Sequence, residues 1–120
     1  MDRKKQLICS SDDLEEKGSG FRFSVTDDEG NTRPAFAIRF NQEIYGYINR
    51  CAHIQVELDW QHGRFFDSER ELLICATHGA LYAPDTGICV AGPCKGARLE
   101  KLELVEENGS LFNIVKTYNQ

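Results

Sequence analysis

The sequence contains no apolar run approaching the length of a membrane span, and its amino terminus, Met1-Asp2-Arg3-Lys4-Lys5-Gln6-Leu7-Ile8-Cys9, breaks into polar residues before any signal-peptide core forms. No membrane association is expected, and the chain reads as cytoplasmic. Basic residues are in deficit: 14 Lys and Arg stand against 19 Asp and Glu, a formal charge of −5. Phosphate binding needs a basic face, and only short pairs such as Lys4-Lys5 occur, which excludes nucleic acid as a partner. The acidic surplus suits a positively charged protein patch. Repeats, low-complexity tracts and obvious linkers are also missing. The 120 residues provide for one domain with one modest core and exclude a multidomain enzyme. Such a chain is expected to fold alone, helped by any metal centre it holds.

Helical patterning is scarce too. Only Ser11-Asp12-Asp13-Leu14-Glu15-Glu16-Lys17 reads as a helix, of at most two turns, with Ser and Asp to cap its start and Gly18 to end it. What is present is a series of short strands, so the fold class is all-β. Phe21-Arg22-Phe23-Ser24-Val25 alternates apolar and polar residues, and the polar stretch 27–31 reads as a turn into Ala35-Phe36-Ala37-Ile38-Arg39-Phe40. After Asn41-Gln42 comes a third, aromatic and β-branched run, residues 43–49. Near the other end Leu102 and Leu104 alternate with Lys101 and Glu103. Asn108-Gly109 then gives a strong hairpin signal before Leu111-Phe112-Asn113-Ile114-Val115.

Between residues 50 and 96 the texture changes, with Gly, Pro, Cys and His concentrated there. Glycine and proline mark sharp turns or close approaches of the backbone. Residues 64–74 keep a short hairpin pattern around Asp67-Ser68-Glu69-Arg70. The expected architecture is a β base of about residues 1–49 and 97–120 carrying an inserted loop-rich subdomain of about 50–96.

Five cysteines, Cys9, Cys51, Cys75, Cys89 and Cys94, are an odd number at uneven spacing. In a reducing compartment that pattern points to metal ligands or buried thiols rather than a disulfide framework. Two loops stand out: C-x-H at Cys51 and His53, and C-x-x-H at Cys75 and His78. The residues between them can form a hairpin that sets the loops side by side, so two thiolates and two imidazoles would converge. A zinc finger ordinarily pairs two cysteines in one loop with two histidines on a helix, and that arrangement is absent.

This pattern resembles the Rieske iron–sulfur family, in which C-x-H and C-x-x-H loops hold a [2Fe–2S] cluster and histidines replace cysteines on one iron. Gly79 follows the last histidine as in the family, Tyr82 stands where members carry Tyr or Phe, and Asp85-Thr86-Gly87 through Gly92-Pro93 matches the loop that covers the cluster. The resemblance implies that Cys51 and Cys75 bind the inner iron, and that His53 and His78 bind the outer one with their second nitrogens near the surface. It also implies that Pro93 shields the cluster from water. Two ferric ions, two sulfides, two thiolates and two neutral imidazoles sum to zero, and one-electron reduction gives −1. Four thiolates would give −2 and −3. Histidine ligation thus raises the potential to roughly −150 to +300 mV, against about −400 mV for plant-type ferredoxins.

Hydrogen bonds to the sulfurs raise the potential further. Quinol-oxidising relatives carry a serine two residues after the last histidine, a tyrosine two further on, and a disulfide tying the loops. Here Ala80 occupies the serine position and neither 54–56 nor Ala76 supplies a loop cysteine. Only Tyr82 remains, its hydroxyl able to reach the Cys51 sulfur. The potential is expected in the lower part of the Rieske range, above a disulfide-free member with Phe at that position.

Other residues have blander readings. His62 has no cysteine beside it and reads as an ordinary loop residue. Cys9 reads as structural. Cys89 and Cys94 flank the proline loop and could form a disulfide or a redox-sensitive thiol, while general cysteine behaviour favours packing. Trp60 suits core packing better than docking. The acidic run Glu100, Glu103, Glu106 and Glu107 reads as a solvated strand face.

The expected function is a monomeric, soluble Rieske ferredoxin that passes single electrons between a reductase and a terminal oxidoreductase such as an oxygenase, with no catalytic machinery. The chain is too short for the second, mononuclear-iron domain of an oxygenase large subunit. A small subunit of a nitrite-reductase-like oxidoreductase and a zinc-stabilised interaction module are the alternatives. If the ligand imidazoles are exposed, they deprotonate in the oxidised state at lower pH than in the reduced state. Reduction above the oxidised-state pKa values then takes up a proton, so voltammetry across the alkaline range is expected to show the potential falling with pH. A pH-independent potential would contradict that exposure.

Overall fold

The computed structural model describes residues 4–26, 29–52, 56–59, 63–75 and 79–115. Among the described residues ten strands, all paired antiparallel, form three sheets. The first contains β1 (Lys4–Ser10), β10 (Ser110–Val115) and β9 (Leu104–Glu107), in that order. The second runs β2 (Phe21–Thr26), β3 (Thr32–Phe40), β4 (Glu43–Ile48) and β8 (Lys101–Leu102). The third, β5 (Leu73–Ile74), β6 (Leu81–Tyr82) and β7 (Cys89–Ala91), comes wholly from the Gly- and Cys-rich middle of the chain. No helix among the described residues is long and apolar enough to cross a membrane.

Turn chemistry sets the register. Asn108 and Gly109 both adopt positive φ, 53° and 78°, and join Glu107 to its partner Ser110. Two left-handed residues are what a tight hairpin with the native strand twist requires. Between β3 and β4 the same job falls to Asn41 and Gln42, with φ 52° and 71°. Neither is glycine, and the Glu16 carboxylate steadies them by accepting both amide hydrogens, at 2.6 and 2.7 Å.

The helix expected over residues 11–17 does not form. A single 3-10 turn, Ser11–Asp13, is capped by the Ser10 hydroxyl and ends at an extended Leu14. The cause lies on β3: the Arg39 guanidinium donates to the carbonyls of Ser11 and Leu14, both at 2.9 Å, and the Arg39 carbonyl accepts from Lys17 N–H at 2.8 Å. A partly buried charged donor outcompetes the weak helical propensity of Ser and Asp.

Two apolar groups of side chains hold the sheets together. Cys9, Leu14, Ala37 and Leu111 pack between the first two sheets. A larger cluster extends from Phe36, Ile38 and Tyr47 through Phe65 and Leu73 to Cys51, Cys75, Tyr82, Cys89 and Cys94. The Cys- and Gly-rich segment therefore rests on the second sheet through a continuous core. Its joint is the stack of Phe36 on Phe65, with ring centroids 3.9 Å apart and planes 11° from parallel. Truncating Phe36 to Ala leaves a cavity at this joint, and urea denaturation is expected to show a loss of about 3–5 kcal/mol. A loss below about 1 kcal/mol would mean that the joint collapses without cost.

Candidate metal centre

The first loop leaves β4 at Ile48 and passes through Asn49, a side chain almost wholly buried. Its backbone N–H donates to the Pro34 carbonyl at 2.9 Å, its Oδ1 accepts from Leu58 N–H at 2.8 Å, and its Nδ2 donates to Asp59 Oδ1 at 3.1 Å. Asn49 thus ties the start of the loop to the base sheet and to the segment beyond the loop. Asp59 Oδ2 accepts from Gly63 N–H at 3.0 Å and faces Arg22 Nε at 3.6 Å. Sequence reasoning missed Asn49: at the end of a strand it looks like an ordinary turn residue.

Cys51 is buried, and its N–H donates to the Val56 carbonyl at 2.8 Å. Cys75, also buried, stands one residue beyond β5 and donates to the Ala80 carbonyl at 2.9 Å. The two loops are closed in the same way, each by the amide of its first cysteine bonding a carbonyl five residues on. In the second loop Gly79, with φ 70°, also donates to the Cys75 carbonyl at 2.8 Å. His53 and His78 belong to these loops by sequence and lie outside the described residues, as do Trp60 and His62.

Tyr82 joins the parts. It sits on β6, paired with Leu73 of β5, and is fully buried. Its hydroxyl lies 3.3 Å from Cys51 Sγ and 3.3 Å from Cys94 Sγ, and accepts from Ala52 N–H at 3.0 Å. The reach of Tyr82 to the Cys51 sulfur, expected from the sequence, is present. Burial is the first reason that the phenol is held far above its ordinary pKa, and its hydrogen bonds to Cys51 and Cys94 add to the effect.

The proline loop is anchored from both sides. The buried Tyr47 hydroxyl donates to the Pro84 carbonyl at 2.7 Å, and Lys101 Nζ donates to the Asp85 carbonyl at 3.1 Å. Gly92, at φ 103°, passes so close to Ala80 that a Cβ there would lie 2.8 Å from the Ala80 Cα. Only glycine allows the proline loop to lie against the second cysteine loop in this way. Pro93 is exposed beside it, and Ala52 and Gly79 are exposed at the other two loops.

The donor set fits a thiolate-bound iron–sulfur group. A metal-bound cysteine sulfur is an acceptor only, and Tyr82 has one hydrogen to give; Ala52 N–H occupies an acceptor position of the phenol oxygen and leaves that hydrogen for sulfur. Low-dielectric surroundings strengthen such a bond.

A family model described as the Rieske [2Fe-2S] domain matches residues 4–119. Among solved structures, the chain is similar to the ferredoxin of carbazole 1,9a-dioxygenase from Nocardioides aromaticivorans IC177. The TM-score is 0.71 at 19% identity, over 94% of this chain and 99% of that one. A complex of reduced oxygenase and oxidized ferredoxin in carbazole 1,9a-dioxygenase gives a TM-score of 0.71 at 19% identity, over 97% of each chain. The terminal oxygenase of carbazole 1,9a-dioxygenase from Nocardioides aromaticivorans IC177 gives 0.73 at 18% identity, over 98% of this chain and 32% of that one. At such identities the structural likeness establishes the fold, and it agrees with the all-β Rieske-type architecture expected from the sequence. No curated protein sequence matches the chain.

Replacing Asn49 by Ala strands the buried Leu58 N–H. A cost of about 1–3 kcal/mol in denaturant stability is expected, with reduced iron retention because the first loop loses its anchor. Unchanged stability and iron content would show that the loop is held by other means.

Proposed function

The chain belongs to the Rieske [2Fe-2S] domain family, and from that premise we propose that it is a one-electron carrier with Cys51, His53, Cys75 and His78 as the ligands of its single cluster. When bound, the cluster accepts and releases one electron at a time. The buried Cys51 and Cys75 would hold one iron, and His53 and His78 would hold the other. Tyr82 donates its hydrogen to the Cys51 sulfur and stabilises the extra negative charge of the reduced state. Gly79 relaxes the second loop, and the Gly92-Pro93 loop restricts water. No residue is assigned a catalytic role.

The observation that carries this reading is the Tyr82 hydroxyl shared between Cys51 Sγ and Ala52 N–H in a buried setting. Packing alone does not call for a phenol aimed at a thiol. It calls for one if that sulfur carries charge that changes. The partners are a reductase and an oxygenase or another oxidoreductase, reached in the cytoplasm by a chain that is monomeric when alone. Near-complete mutual coverage with a ferredoxin of a dioxygenase system supports the oxygenase side, and the net charge of −5 suits a basic docking patch.

Anaerobic redox titration of the isolated protein tests the reading. One electron per chain, with iron and labile sulfide in equal amounts, is expected; a colourless zinc protein from an iron-replete preparation would overturn it. Tyr82→Phe removes the sulfur hydrogen bond without changing the ring. Its potential is expected to fall by on the order of 50 mV, since a tenfold change in a one-electron equilibrium is about 59 mV. An unchanged potential would remove the role given to the hydroxyl.

A further inference from the structure

Cys89 and Cys94 are not ligands in this reading, yet they are not placed as isolated packing residues. Their sulfurs lie 3.0 Å apart, with Cys94 donating to Cys89 Sγ and Cys89 donating to the Ala91 carbonyl at 3.2 Å. A disulfide bond measures about 2.0 Å, so the sulfurs need to approach by only about 1 Å. The backbone already holds them together. Cys89 N–H donates to the Ala97 carbonyl at 2.7 Å, Ala97 N–H donates to the Cys94 carbonyl at 2.8 Å, and Gly96 N–H donates to the Cys89 carbonyl at 2.9 Å. Both cysteines are thus tied to Ala97 whether or not a covalent bond joins them. Cys89 is 1% exposed and Cys94 8%, the latter between the exposed Pro93 and Lys95. Cys94 is the less deeply buried of the two.

We propose that Cys89 and Cys94, which flank the proline loop, form a reversible disulfide. The oxidant is a low-molecular-weight disulfide. Cys94 sulfur attacks it, forms a mixed disulfide and releases one small thiol; Cys89 sulfur then attacks Cys94 and releases the second. The two S–H bonds of the protein and one S–S bond of the reagent are exchanged for one S–S bond in the protein and two small thiols, so the pair loses two electrons and two protons to the reagent.

The test uses the full chain with its cluster, incubated anaerobically with oxidised glutathione, then denatured and alkylated. Of the five cysteines, three are expected to take the label after oxidation (5 − 2 = 3), with Cys89 and Cys94 in one linked peptide, and dithiothreitol is expected to restore all five. Five labelled cysteines after oxidation, or a glutathione adduct without the internal bond, would overturn the disulfide. Should the protein prove to hold no cluster, the label count on the apoprotein still decides the disulfide by itself.

Discussion

Two cysteines each donate an amide hydrogen to a carbonyl five residues further along, Cys51 to Val56 and Cys75 to Ala80. These closures fix where the sulfurs sit, and the site depends on them. A loop carrying a cysteine and a histidine would otherwise sample many arrangements, and ordering several residues costs about 1–2 kcal/mol each in backbone entropy alone. Closing each loop on itself, and burying its cysteine against a continuous core, moves that cost into folding. The base sheets serve the same end. Asn49 pins the first loop to Pro34 on β3, and Phe36 of β3 stacks on Phe65 beneath the second.

Upon this frame the phenol of Tyr82 connects pieces distant in sequence: Cys51 and Ala52 from the first loop, and Cys94 from the proline loop. A hydroxyl has one hydrogen and two acceptor positions. The Tyr82 oxygen lies equally near the Cys51 and Cys94 sulfurs, so its one hydrogen is shared between the two loops. The proline loop is thereby tied to the first cysteine loop, because Cys89, Cys94, Tyr82 and Cys51 form one chain of close polar contacts.

Much of this was legible in the residues, for physical reasons that differ from place to place. Asn108-Gly109 announced its hairpin because few dipeptides tolerate two positive φ angles. Tyr82 was assigned to the Cys51 sulfur from its place in a recognised pattern, and the distance agrees. The strand β1 went unread because its alternation is broken: Leu7 pairs with Phe112 and Cys9 with Leu111, which leaves Ile8 as the extra residue of a bulge. The helix over 11–17 was misread because the competing donor, Arg39, is remote in sequence and its target carbonyls carry no side-chain signature. Cys89 and Cys94 read as packing residues, and both do lie in the buried core, but spacing alone does not reveal that Ala97 bonds to both backbones. Of the four proposed ligands the structure describes the two cysteines, and the histidines rest on the loop pattern.

Paramagnetic resonance of the dithionite-reduced protein, with nitrogen hyperfine couplings resolved, addresses the central claim most directly. If two cysteine sulfurs and two histidine nitrogens share one diiron unit, reduction by one electron yields a signal coupled to two imidazole nitrogens. A signal without nitrogen coupling, or no signal from an iron-replete preparation, would contradict the account.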